Sequence, residues 1–415
     1  MMKKFIGNAV VGQSGGPTAA INATLAGVIA GAMESNNIKT LFGMRNGIEG
    51  LMAERLVDLG ERFSDKSELE ALCLTPAAAL GSCRKKLPPA DSERPEDIAV
   101  YEKILSVFEK YDIRYFFYIG GNDSMDTVAK LTKFSELHGG YEFCAVGVPK
   151  TIDNDLSGTD HSPGYGSAAK YIATVMQEIM RDCAVYTIPA VTVVEIMGRD
   201  AGWLTAAAGV GALFGGLAVD GIYLPERAFS MEGFFEDVES ALKKHPNVVI
   251  AVSEGIRFEN GRYVGEGLSM GSLDAFGHVR LSGAAKVLEE AVKERFGCKV
   301  RSVELNLPQR CAGHLLSATD ISEARAIGSA AVKCAEEGNF GVMMAFERVS
   351  ETPYSFAVTP KNIFGIANEV RSVPDEYITE RGNGITDACA RYIAPLIAGE
   401  LYPEYVGGIP KYIEI

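Results

Sequence analysis

Five strand-length apolar runs, each closed by a polar or glycine-bearing turn and followed by a helical pattern, limit most severely what this chain can fold into. They are "NAVVG" from Asn8, "YFFYI" from Tyr115, "YEFCAVGV" from Tyr141, "AVTVVEIM" from Ala190 and "NVVIAVSEGI" from Asn247. A run that is apolar on both faces must be covered on both, and parallel strands flanked by helices achieve this. The intervening segments read as helices: "TAAINATLAGVIAGAM" from Thr18, and "DTVAKLTKF", where Val128, Leu131 and Phe134 recur at near-helical spacing. The expected fold is therefore α/β, with mainly parallel sheets covered by helices. In such sheets the ligand crevice lies at the carboxyl ends of the strands.

A chain of 415 residues exceeds one compact core, so two lobes are expected, with crossovers at Pro149–Lys150 and near Pro308. A net charge of −14 argues against nucleic acid or an anionic membrane as partner, and requires a local cationic pocket for any anionic substrate. The eight cysteines form no C-x-x-C pair and the five histidines do not cluster with them. Free thiols in a reducing cytoplasm account for that pattern better than a zinc site. The first residues read as a β-strand rather than a signal peptide, because the apolar run breaks at Asn8 and leads into glycines. "AGWLTAAAGVGALFGGLAV", Ala201 to Val219, is uncharged over 19 residues. Its alanines and five glycines, flanked by Asp200 and Asp220, point to a buried, tightly packed helix and a loop, not a membrane span.

Five strand ends carry candidate chemistry. In "SGGPTAAIN" the pair Gly15–Gly16 lets backbone N–H groups approach an anion at a helix N-terminus, although a plain βα turn would look the same. In "GGNDS", Gly120 to Ser124, either Asp123 or Ser124 caps the next helix, or the loop holds phosphate and Mg²⁺ through oxygen ligands. In "PKTIDND", an extended backbone would place Thr151, Asp153 and Asp155 on one side, a hydroxyl and two carboxylates suited to a general base. An Asx-turn is the plainer reading of that stretch. "MGRDAGW" sets Met197, Gly198 and Arg199 at a strand end, where arginine can bind phosphate oxygens or pair at the surface. "SEGI" presents Glu254, an acceptor for sugar hydroxyls or a helix cap.

Taken in order, Ser14–Gly16, Gly120–Ser124, Pro149–Asp155, Met197–Arg199, Glu254–Gly255 and Gln309–Arg310 resemble the motifs of the phosphofructokinase family. "GSCRKK" is similar to that family's phosphate-contacting loop, with Arg84 in the matching position, and Arg301 lies upstream of Gln309–Arg310. The resemblance covers Ser14 to Arg310 and implies two Rossmann-like lobes with the active site in the cleft between them. It implies a donor-phosphate lobe of residues 1–149 completed by about 309–362, and a sugar-phosphate lobe of 150–308 completed by about 363–415. Asp153 would deprotonate the sugar 1-hydroxyl, with Thr151 touching the same sugar. Gly15, Gly16, Arg84, Ser124 and Lys150 would meet donor phosphates. Met197, Gly198, Arg199, Glu254, Arg301 and Arg310 would line the fructose 6-phosphate pocket, and Asn122 and Asp155 would be the metal ligands. Homodimers or homotetramers are the family habit.

Two positions imply the donor. ATP-using relatives have glycine where this chain has Asp123 and Lys150, the pair typical of pyrophosphate-using members. A carboxylate at Asp123 would occupy the path of a nucleotide and repel its α-phosphate, while Lys150 supplies a compact charge for inorganic phosphates. The expected reaction is phosphoryl transfer from pyrophosphate to fructose 6-phosphate; an ATP-dependent enzyme and a non-catalytic sugar-phosphate sensor are the alternatives. Three positions depart from the family pattern. Asn122 stands for the aspartate linked to Mg²⁺, Leu307 for a histidine, and Ala190 for an arginine that often reaches across from a neighbouring subunit.

Overall fold

The computed structural model describes residues 4–267, 283–366 and 369–415. Two sheets organise it. The first contains β1 (Gly7–Gln13), β2 (Ile38–Met44), β3 (Leu56–Asp58), β4 (Ile113–Gly120) and β5 (Cys144–Pro149). The second contains β6 (Ala190–Ile196), β7 (Gly221–Tyr223), β8 (Asn247–Ser253) and β9 (Lys299–Glu304). The hairpin β10 (Val342–Glu351) and β11 (Tyr354–Asn362) returns to the first sheet. The strand orders are β11-β10-β5-β4-β1-β2-β3 and β7-β8-β6-β9. The second sheet is parallel throughout, and only the edge strands β3 and β11 of the first run antiparallel. The molecule is thus α/β with mainly parallel sheets.

Alternation along the central strands builds a core on both faces of both sheets. In β4, Tyr115, Phe117 and Ile119 join one buried cluster while Phe116 and Tyr118 join the opposite one. In β6, Val194 and Ile196 face one cluster and Val191 and Val193 the other. The helices that cover these faces include α1 (Ile21–Glu34), α2 (Pro95–Lys110), α3 (Asn122–His138) and α4 (Tyr165–Cys183). They also include α5 (Met231–Leu242), α6 (Ala284–Phe296) and α7 (Ala318–Glu336).

The apolar stretch from Ala201 is, as expected, a packed helical segment followed by a loop, but it departs from expectation in its winding and in its exposed second half. It forms a single α turn, Trp203–Ala206, and then a 3₁₀ segment, Ala207–Phe214. It is buried through Ala208 and at Val210, whereas Phe214 is 69% exposed, so only its first half belongs to the core. Glycine at 209, 211, 215 and 216 lacks the helix propensity and the side chains to continue a buried helix. Among the described residues no helix is long and apolar enough to cross a membrane, and the cysteines are free thiols.

Candidate active site

The carboxyl ends of both sheets open onto one cleft of about 460 Å³. From the first sheet come the loops after β1, β4 and β5, and from the second those after β6, β8 and β9.

On the first side, Ser14 N donates to Ile119 O (2.9 Å), which stitches the β1 loop to β4. Gly15 has φ +77°, a conformation open to glycine at no cost. The loop is tied to "GSCRKK" through Gly15 N to Cys83 O (3.2 Å) and Ser82 Oγ to Gly15 O (2.6 Å), which carries Arg84 into the cleft wall. Gly121 stands at the N-cap of helix α3 and no side chain caps the helix, so neither Asp123 nor Ser124 serves as the cap. Instead Ser124 Oγ and Asn122 Oδ1 are buried without a hydrogen-bond partner among the described residues. Buried polar atoms left open at a helix N-terminus are positioned to receive a ligand. Asp123 stands at the mouth, about half exposed, 3.0 Å from Lys86 Nζ.

Lys150 is 3% exposed, and its ammonium donates to the carbonyl of Gly16. Burial lowers its pKa to about 8, although Asp153 and Asp155 pull the other way. A Cβ built on Gly15 would lie 3.6 Å from this ammonium, and one on Gly16 3.5 Å from Arg310 Nη1. Two cations therefore crowd the glycine loop that would receive phosphate oxygens.

The segment after Lys150 is not extended. Asp153 N donates to Thr151 Oγ1 (3.1 Å), and Asn154 has φ +54°, so the chain makes a tight turn. Thr151, Asp153 and Asp155 still reach the cleft, but through that turn and not through strand alternation. Thr151 Oγ1 lies 3.4 Å from Asp153 Oδ2. Burial, reinforced by the charge of Glu254, raises the Asp153 pKa above the usual carboxylate range. Burial and the neighbouring Asp153 do the same to Asp155.

On the second side, Gln309 Oε1 accepts from Met197 N (3.1 Å), and Glu254 Oε1 accepts from Gly198 N (3.3 Å). Gly198 has φ +131° and lies close against Ala201 O, which explains its glycine. Burial raises the Glu254 pKa to about 7. Arg199 Nε is buried with no partner among the described residues, so the surface ion pair is not what holds it. Asp200, which directly follows the Met-Gly-Arg motif, also lines the cleft and pairs with Arg257 at 2.5 Å. Position alone could have flagged it. Gln309, 2% exposed, belongs to the Gln-Arg pair read from the sequence, and here it fixes the Met197 backbone rather than lining the cleft itself.

Arg301 does not join the cleft of its own chain. It pairs in register with Thr192 near the start of β6, is about half exposed and lies 3.9 Å from Asp182. Ala190 opens β6 at that same remote end. Leu307, by contrast, starts the short turn that ends in Arg310 and is 52% exposed.

Among the described residues no three His, Cys, Asp or Glu side chains gather as metal ligands. What the cleft offers is the open Asn122 oxygen and the Asp155 carboxylate. So sparse a set suits a magnesium ion that brings its phosphates and waters with it.

A cleft that sets buried cations for phosphate oxygens against carboxylates able to take a proton belongs to the phosphoryl-transfer class of α/β proteins. Within that class the chain is a member of the phosphofructokinase family, whose model (PFK: Phosphofructokinase) matches residues 8–335. It is 43% identical over 418 residues to the pyrophosphate–fructose 6-phosphate 1-phosphotransferase of Methylococcus capsulatus, covering 98% of this chain and 96% of that one. The protein of the same name from Halomonas elongata is 42% identical, covering 98% and 96%. Among solved structures, the pyrophosphate-dependent phosphofructokinase of Nitrosospira multiformis superposes with a TM-score of 0.87 at 40% identity, covering 98% and 96%.

Proposed function

We propose that this chain transfers a phosphoryl group from pyrophosphate to the 1-hydroxyl of fructose 6-phosphate, yielding fructose 1,6-bisphosphate and phosphate. The observation that carries the reading is the Lys150 ammonium, buried against the Gly16 carbonyl with Asp123 across the cleft mouth. That arrangement suits two linked inorganic phosphates and crowds a nucleotide.

Gly15, Gly16, Arg84, Ser124, Lys150 and the loop bearing Asp123 bind and orient the donor. Met197, Gly198, Arg199, Glu254 and Arg310 hold the sugar phosphate. Asp153, its pKa raised toward neutrality, accepts the proton of the 1-hydroxyl as that oxygen attacks the terminal phosphorus, and Thr151 fixes both carboxylate and sugar. Arg199 and Lys150 face the charge that develops on the transferring group and the leaving phosphate. Asn122 and Asp155 would hold Mg²⁺, which supplies positive charge for the phosphate oxygens. Because orthophosphate leaves from pyrophosphate, the reaction runs both ways, serving glycolysis and gluconeogenesis in the cytoplasm.

The division of labour follows the lobes: residues 1–149 with about 309–362 for the donor, 150–308 with about 363–415 for the sugar. The working form is a homodimer or homotetramer, and Arg301 reaches a sugar phosphate only when a second copy presents it. A coupled assay with Mg²⁺ that compares pyrophosphate and ATP decides the matter. Turnover with pyrophosphate and little with ATP is expected. Equal rates would end the donor argument, and binding of the sugar phosphate without product would make the protein a sensor.

A further inference from the structure

Two of the acids of the cleft, Asp153 and Asp155, flank Asn154, and the way that residue is held involves no group of the proposed reaction. Asn154 is 1% exposed and left-handed at φ +54°, a conformation that is unfavourable for a non-glycine residue and persists only where its surroundings impose it. Three of its polar atoms are tied. Its Oδ1 accepts from Ser162 N (3.0 Å), its Nδ2 donates to Tyr392 Oη (3.3 Å), and its carbonyl accepts from Arg371 Nη1 (3.3 Å). Next along the chain, Asp155 O accepts from Arg371 N (2.8 Å).

The two clamping side chains are themselves fixed. The Tyr392 hydroxyl donates to Asp160 O (2.7 Å) and accepts from both Asn154 and Arg371 Nη2 (3.2 Å), which uses its one proton and both lone pairs. The Arg371 guanidinium lies 4.2 Å above the Trp203 ring, and Arg371 O accepts from Trp203 Nε1 (2.9 Å). A guanidinium held in a fork and on an indole face has little freedom left.

We infer that Arg371 and Tyr392 are positioning residues, which from the C-terminal segment hold the Asn154 turn in the conformation that aims Asp153 and Asp155 into the cleft. The inference rests on the phosphotransferase reading of Asp153, and it adds that base geometry is set more than 200 residues away in sequence. Displacing a reacting group by about an ångström costs roughly 100-fold in rate.

The test uses the full-length protein with Tyr392→Phe and Arg371→Met. Steady-state kinetics with pyrophosphate and fructose 6-phosphate should show kcat reduced roughly 10- to 100-fold with both KM values nearly unchanged. Hydrogen exchange of the ligand-free protein should accelerate in the peptide spanning residues 151–156, where the Thr151 and Asp153 amides are hydrogen-bonded, and not in β1 or β6. Tyr392→Phe keeps the ring packed by Trp203, so it folds even if the arginine variant does not. Wild-type kcat in folded variants, or a kcat loss with no change in exchange at 151–156, would overturn the assignment. A wild-type protein inactive with pyrophosphate whose variants still loosened that peptide would reject the reaction and support the clamp.

Discussion

At the scale of single residues, burial sets the chemistry. Lys150 and Asp153 lie where water is scarce, and each is displaced toward its neutral form: the ammonium downward in pKa, the carboxyl upward. A carboxylate whose pKa approaches the working pH is a better proton acceptor in practice, since it releases the proton again. Asp153→Asn keeps the size and loses the base, so kcat should fall by roughly 10²–10⁴ with little change in fold, as read by turnover and far-ultraviolet circular dichroism. For Lys150 the sign runs the other way. The ammonium is cationic below about pH 8 and neutral above it, so kcat/KM for pyrophosphate should decline as pH rises through that value. A flat profile from pH 7 to about 9 would remove Lys150 from donor binding. The residue types at these positions were readable in the sequence. Their exposure was not, because burial of Lys150 depends on the glycine loop of another strand closing over it.

At the scale of elements, glycine decides how closely helices approach. Helices α1 and α7 cross through Gly27 and Gly328: a Cβ on Gly27 would lie 2.0 Å from Arg325 O, and one on Gly328 2.2 Å from Thr24 O. On an exposed helix alanine would stabilise by about 1 kcal/mol relative to glycine. Here it meets backbone, which cannot swing aside. Gly27→Ala should therefore lower the free energy of unfolding by roughly 1–3 kcal/mol, measured by urea denaturation. The strands and their helices were legible because an apolar run needs cover on both faces. The Asn154 turn was not, since the sequence Asp-Asn-Asp suits a strand end and a turn alike, and contacts from Tyr392 and Arg371 select the turn. How far the helical stretch from Ala201 is buried was hidden for a related reason: absence of charge marks what can be buried, while neighbours determine what is.

At the scale of the whole molecule, two parallel sheets present their carboxyl ends to one cleft, which joins loops separated by nearly 300 residues, from Gly15 to Arg310. Arg301 is the exception, on a strand edge away from that cleft. If a second copy presents it, Arg301→Ala should raise KM for fructose 6-phosphate by about tenfold or more and leave that for pyrophosphate unchanged. Light scattering on the same samples would report whether the assembly persists. An unchanged KM in an intact oligomer would leave Arg301 without a part in catalysis.

The order of strand and helix, the glycine loops and the types of acid and cation that line the cleft were written in the linear chain, because backbone propensity and side-chain chemistry are properties of neighbours in sequence. Which acids lose their water, how the Asn154 turn is held, and that Arg301 stands apart were settled by packing alone. Desolvation and hydrogen-bond geometry arise between atoms hundreds of residues apart, and they exist only once both lobes have closed around the same cleft.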